Sequence, residues 1–386
     1  MQNNPWVQRY CIFVPMDIKD WIPFIAFSCT AAVQLFFYLR YFRLLAFYKP
    51  RQQDVTRQQA VSVVVCARDE ADEIESNMPG ILAQQYKSSH EIVVVNDNSR
   101  DDTKYLLEGL YKTFKQLHIV ELKQEAMHIP GKKFPLSIGI KSAKHEILLL
   151  TDADCIPASE NWIGRMQAAF TDGIEIVFGY GGYKKRKGLL NLLVRYEAFH
   201  TALQYLSMAL GGLPYMGVGR NLAYRKGLFY RQKGFAAHHH LPGGDDDLFI
   251  NAAANSKNTA VVVDQDAFTY SSPPTTWKSW YLQKRRHNST GRYYKGMHKF
   301  VLGSYMVTQV MFLPLFVWAL MGMSWKWALG VLLVKLLVQS IVLYKAMKKL
   351  KEVDLFPYFI LWDLWMFLYY FIFISSLWKK PRKTWS

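Results

Sequence analysis

An α/β domain held to a membrane is the fold class this chain predicts, with a doubly wound parallel sheet set between apolar spans. Three observations predict it. Short β-branched runs alternate with helical patterns through the middle of the chain, the pattern of βαβ units. Four long apolar runs flank that middle: Trp21 to Leu39, Phe300 to Met323, Trp325 to Tyr344 and Leu355 to Trp378. Each is near the roughly 20 residues a helix needs to cross a hydrocarbon core. The 386 residues are 51% hydrophobic with a formal charge of +17, which suits a membrane protein facing anionic lipid. The expected organisation is an N-terminal segment 1–57 with one span (about 21–39), a soluble domain 58–298 with interfacial helices, and a C-terminal membrane region 299–386.

The first run lies too deep in the chain, with the wrong flanks, for a cleavable signal peptide, so it reads as an anchor. Arg40, Arg43, Lys49, Arg51 and Arg57 follow it, and Arg285, Arg286, Arg292, Lys295 and Lys299 precede the second run. Basic residues near span ends mark the cytoplasmic side, so the intervening domain is expected in the cytoplasm, at an inner membrane. Lys345, Lys348, Lys349 and Lys351 after the third run agree with that path. The basic tail from Lys379 to Lys383 does not, and leaves two readings: a re-entrant last run, or an exception to the charge rule. Asp363 and Lys335 are charges inside apolar runs, expected to snorkel or to pair with each other. Because the cations cluster beside the spans, lipid head groups and not nucleic acid are the expected partner. Four cysteines show neither metal spacing nor a disulfide framework, as a reducing compartment requires. There the Asn288-Ser-Thr sequon has no role.

In the soluble part, Val61–Cys66, Glu91–Val95, His118–Leu122 and Glu146–Leu150 are expected strands. The first is apolar at nearly every position, which predicts a parallel strand covered on both faces. Helical patterns lie near 71–85, 101–116 and 133–143. Ligands of such sheets bind at the carboxyl ends of the strands. Those ends carry Ala67-Arg68-Asp69-Glu70, Asn96-Asp97-Asn98-Ser99 and Asp152-Ala153-Asp154. Two carboxylates spaced D-x-D after an apolar strand suit a hard divalent cation, Mg²⁺ or Mn²⁺, shared with phosphates. Neither a dinucleotide fingerprint nor a P-loop occurs, which excludes those nucleotide sites. His238-His-His240 lacks zinc spacing. Gly217-Val-Gly-Arg-Asn221 reads as a close-approach turn or a plain glycine turn. Two segments, 188–210 and 276–294, carry aromatic and basic residues suited to a membrane interface; for the first, a core-facing aromatic stripe is an equal alternative.

Taken in order, these motifs resemble the family 2 glycosyltransferases of the GT-A fold, including bacterial inner-membrane members. The resemblance covers residues 58–300. It rests on Val61–Glu70, Val94–Ser99, Gly131-Lys132 with Leu136 and Gly139, Thr151–Asp154, Gly244-Asp-Asp-Asp-Leu248 in place of E-D-x-D-L, and Gln283-Lys-Arg-Arg-His287 in place of Q-x-x-R-W. It implies inverting transfer of a sugar from a nucleotide-sugar, a UDP-sugar first, to a lipid or lipid-linked acceptor. Asp245 is then the base; Ala67, Arg68, Glu70, Asp97, Lys132, Asp152, Gln283, Arg285 and Arg286 hold the donor; Asp154 and Asp152 hold the cation. Gly244 replaces the usual Glu, and His287 the usual Trp that stacks under a growing polymer. A processive polysaccharide synthase is therefore the alternative reading, and a non-catalytic scaffold the second, opposed by acids kept at three strand ends.

Overall fold

The apolar runs of the soluble part pair as expected. The computed structural model describes residues 18–50, 58–124, 129–322 and 324–377, so Cys11, Arg51, Arg57 and the basic tail lie outside the described residues. Strands β1 (Val61–Ala67), β2 (His90–Asp97), β3 (Leu117–Leu122) and β4 (Ile147–Leu150) are mutually parallel, in the order β3-β2-β1-β4. Short strands β5 (Cys155–Pro157), β6 (Ile176–Phe178), β7 (Gly181–Tyr183), β8 (Leu222–Arg225), β9 (Thr259–Val261) and β10 (Thr269–Ser271) complete the domain. β8, β6 and β9 extend the main sheet beyond β4, and β5, β10 and β7 form a small second sheet. β8 runs antiparallel to both β4 and β6, so the sheet is mixed rather than wholly parallel. The strands after β4 are three or four residues long, too short to leave a periodicity in the sequence.

Side-chain alternation explains why β1, β2 and β4 read as continuous apolar runs. Val63, Val65, Ile92, Val94 and Leu149 face a core closed by helix Ala71–Leu82. Val64, Cys66, Val93, Val95, Leu148 and Leu150 face the opposite core, closed by helices Lys133–Ser142 and Leu189–Leu210. With both faces covered, both sets of positions favour apolar side chains, and the polar exceptions Ser62 and Glu91 bond to each other at 2.7 Å. The second core continues into the membrane region through Val342, Leu343, Met347 and Trp362. Domain and apolar helices thus share one interior.

Among the described residues, four helices are long and apolar enough to cross a membrane: Trp21–Ala46, Gly296–Leu320, Trp325–Lys349 and Val353–Phe373. Lys335 and Asp363 are buried between the last two and form an ion pair, with Gln339 Nε2 donating to Asp363 at 3.0 Å. Of snorkelling and pairing, pairing is what the bundle adopts. Helix Leu189–Leu210 follows the core alternative and not the interfacial one: Tyr196, Phe199, Tyr205 and Met208 are all buried. Helix Trp277–Asn288 opens with a reciprocal Thr276/Ser279 capping box and packs Trp280 against Trp365, Tyr369 and Phe373.

Candidate active site

The end of β4 is fixed before its carboxylates appear. Thr151 Oγ1 donates to the Arg220 carbonyl at 2.9 Å, and Thr269 Oγ1 donates to the same oxygen at 2.9 Å. Asp152 and Asp154 follow on that anchored turn. Asp152 is ion-paired with Lys132, the residue that begins helix Lys133–Ser142. Asp154 accepts from the Cys155 thiol at 3.3 Å. Ligand atoms of Asp152, Asp154 and Cys155 lie within 4.8 Å of one another. Burial raises the Asp154 carboxyl, and the Asp152 charge raises it further, to about 6. Burial acts upward on Asp152 as well, but the Lys132 ammonium outweighs it and the net shift is down. Two crowded carboxylates with too little positive charge make a site whose electrostatics favour a cation. Burial, then Asp154, holds the Cys155 thiol protonated, so the ligands on offer are hard oxygens. The donor set fits Mg²⁺ or Mn²⁺.

The acid triplet is held from three directions. Gly131, at φ +78°, presses against the loop before the triplet; a Cβ there would lie 2.1 Å from the Pro242 carbonyl oxygen. Buried Lys133 donates to the carbonyls of Leu241, at 2.6 Å, and Gly243. Asp246 caps helix Asp247–Ala253, accepting from the amides of Asp247 at 2.7 Å and Gly219 at 2.8 Å. Asp247 accepts from Tyr294 Oη at 2.8 Å, from Thr290 Oγ1 and from the Leu248 amide. Burial first, then the neighbouring acids, raises Asp246 to about 8. Asp245 lines the cavity, and among the described residues no hydrogen bond engages its carboxylate. Leu248 is buried, as the expected register of the triplet requires.

The first two strand ends interlock. Asp69 N–H donates to Ser99 Oγ at 3.0 Å, and Arg100 N–H to Asp69 Oδ1 at 2.7 Å. Arg68 pairs with the buried Asp97 at 3.6 Å. Ala67 is buried opposite Asn96. Glu70 reaches the cavity wall, where burial and then Asp154 raise its carboxyl to about 7. On helix Trp277–Asn288, Gln283, Arg286 and His287 line the cavity, whereas Arg285 lies off its wall. Gln283 Oε1 accepts from Tyr183 Oη at 3.3 Å. The His238–His240 run gathers no metal-ligand cluster among the described residues; His239 Nδ1 bonds the Ala236 carbonyl at 2.9 Å.

Arg220 belongs to the site although only its glycine-rich turn stands out in the sequence. It lies over the Tyr183 ring at 4.4 Å, donates to Ser271 Oγ at 3.0 Å, and faces Asp152 and Asp154 electrostatically. Its turn is the short helical Gly219–Asn221, whose Gly219 amide joins the acid triplet. A cavity of about 920 Å³ connects Glu70, Lys132, Asp152, Asp154, Arg220, Asp245, Gln283 and Arg286, while Ala67, Arg68 and Asp97 lie off its wall. It begins at Glu70, Asp152 and Asp154, passes Asp245, and ends between helices Gly296–Leu320 and Val353–Phe373, at Leu302, Met306 and Tyr370.

Residues 58–290 match the family described as glycosyltransferase like family 2. The chain belongs to that family. Curated relatives of this glycosyltransferase include AglE of Haloferax volcanii, 27% identical over 175 residues, which are 45% of this chain and 52% of AglE. A poly-β-1,6-N-acetyl-D-glucosamine synthase of Staphylococcus aureus is 29% identical over 121 residues, 31% of this chain and 28% of the synthase. The chain thus spans about half the length of AglE and less of the synthase. Among solved structures, the mannosyltransferase PcManGT of Pyrobaculum calidifontis, in complex with GDP-Man and Mn²⁺, superposes with a TM-score of 0.56 at 19% identity. That match covers 90% of this chain and 99% of the other, and it bears out the GT-A fold.

Proposed function

We propose that this glycosyltransferase moves a sugar from a nucleotide-sugar to a lipid or lipid-linked acceptor, with inversion and with a divalent cation, at the cytoplasmic face of the membrane. The observation that carries the reading is the single cavity joining the acids at the strand ends to the apolar helices. The mannosyltransferase of the same fold is solved with a nucleotide-sugar, GDP-Man, and with Mn²⁺. In this chain Ala67, Arg68 and Asp97 hold the nucleoside at the interlocked loops of β1 and β2. Asp154 and Asp152 hold the cation, with Lys132 orienting Asp152. The cation, when bound, offsets the charge that grows on the departing nucleoside diphosphate. Gln283 and Arg286 face those phosphates from the opposite wall, where a guanidinium fork matches phosphate oxygens. Asp245 takes the proton from the acceptor hydroxyl as that oxygen attacks the anomeric carbon. A single base and a direct displacement give inversion.

A second reading, the processive synthase, is favoured by the synthase relative and opposed by His287 at the acceptor-stacking position. One experiment addresses both. The purified full chain is given UDP- and GDP-sugars in turn with a membrane lipid extract, and nucleoside diphosphate release and products are measured. The proposal expects cation-dependent release and a lipid-extractable product extended by one or a few sugars. A water-soluble polymer ladder would install the synthase reading. Full turnover in excess chelator, or an active Asp154→Ala enzyme, would remove the cation.

A further inference from the structure

The membrane end of the cavity is basic as well as apolar, and the mechanism uses none of that charge. Arg292 and Lys299 both line it. Neither forms an ion pair among the described residues, whereas Lys132 and Lys284, which line the same cavity, are paired with Asp152 and Glu197. Arg292 lies over the Tyr293 ring at 4.6 Å and donates to the Tyr293 hydroxyl. Its Nε is buried with no hydrogen-bond partner among the described residues. A buried donor left unmade is costly, and such a group in a binding cavity calls for an acceptor.

The position of Arg292 is fixed. It sits in the turn Gly291–Tyr293, between Thr290 and Tyr294, and both of these bond to Asp247. The turn is therefore tied to the loop that carries the candidate base. Lys299 stands in the first turn of helix Gly296–Leu320, where that helix enters its apolar stretch. Leu302 and Met306, on the same helix, continue the wall inward. From the base outward the cavity is acidic, then cationic, then apolar. A lipid whose reacting group sits near an anionic centre, with hydrocarbon beyond it, has the same order. Arginine and lysine are the side chains that bind phosphate oxygens, as a fork and as a point charge.

We propose that Arg292 and Lys299 form the site for a phosphate group of the lipid acceptor, so that the acceptor is an anionic, phosphate-bearing lipid and not a neutral one. The inference rests on the membrane-acceptor reading above and names its substrate class. Its test needs no donor. The full chain in neutral maltoside micelles is titrated with dodecyl phosphate, dodecanol or inorganic phosphate, followed by tryptophan fluorescence and thermal melting. Dodecyl phosphate should bind and raise the melting temperature. Arg292→Gln with Lys299→Gln should weaken it at least tenfold, while Arg292→Lys with Lys299→Arg should stay within about threefold, since the charge remains. Inorganic phosphate alone should fail at the same concentration, because the apolar wall contributes. Equal binding by the doubly neutralised variant, by dodecanol or by free phosphate would overturn the site. Lack of transfer to a lipid extract, with alkyl-phosphate binding intact, would count against the reaction and leave this site standing.

Discussion

Asp245, Asp246 and Asp247 are chemically identical and structurally distinct. Asp246 spends both oxygens on backbone amides, and Asp247 is enclosed by Thr290, Tyr294 and an amide, which leaves Asp245 to meet an acceptor. Asp245→Asn should lower the transfer rate by roughly 10²–10⁴-fold, the value of a general base, while nucleotide binding persists. Asp246→Asn should cost about 1 kcal/mol of cap stability and change the rate little. A dead but folded Asp246→Asn enzyme would move the base by one residue. The same carboxyl predicts a pH effect. Burial, then Asp245, raises Asp246 from 3.8 to about 8, so the folded state holds its proton more tightly than the unfolded chain. The stability it contributes is full below about pH 4 and is lost as pH rises toward 8. Melting curves of the unaltered chain should therefore fall relative to Asp246→Asn across that window; parallel curves would exclude the shift.

Much of this scale was legible. The acids announce themselves because carboxylates after apolar strands need a positive partner. Lys133 did not, and Arg220 and Gly244 showed only as part of a glycine turn and as a departure from a motif, since each acts through a closure that only the fold creates. Gly244, where the family has Glu, adopts φ +93°, and a Cβ there would lie 2.5 Å from Leu248. The departure from the motif is a backbone requirement of this loop.

At the scale of elements, the parallel strands and their helices were readable from apolar runs, because two covered faces leave few polar positions. The short strands β5 to β10 were not, since three or four residues carry no period. The membrane helices were readable by length, and the charges inside them by mutual need. Lys335 and Asp363 illustrate the energetics. Neither could remain ionised in an apolar bundle without the other. Lys335→Met should destabilise the chain by about 3–5 kcal/mol, because it strands a buried carboxylate. Lys335→Met with Asp363→Leu should recover most of that loss, since an apolar pair of similar volume is often neutral. Unfolding in detergent measures both. A double variant as unstable as the single one would show that the pair has a role beyond neutralising itself.

For the whole molecule, the question is which side of the membrane the cavity faces. The fold adds an argument that charge counting lacks. Lys349, at the end of helix Trp325–Lys349, donates to the Tyr48 carbonyl at 2.7 Å, just past the end of the first apolar helix. Glu352 and Asp354, three and five residues further, pair with Arg195 of the soluble domain. At the start of the second apolar helix, His298 meets Asn251 of the domain at 2.8 Å. The end of the first helix, the start of the second and the end of the third therefore share the side of the domain, and the turn near Met321 lies opposite. Basic residues collect on the domain side, and by the positive-inside tendency this supports the cytoplasmic orientation proposed above. Met321 is 82% exposed, and Lys348 is exposed at its helix end, so each can carry a reporter cysteine. In intact cells, a membrane-impermeant thiol reagent should label Met321→Cys above the background of the native cysteines. Lys348→Cys should react only after the cells are opened. Labelling of Lys348→Cys from outside would turn the molecule over, and would place the proposed nucleotide-sugar and lipid-phosphate sites on the far side of the membrane.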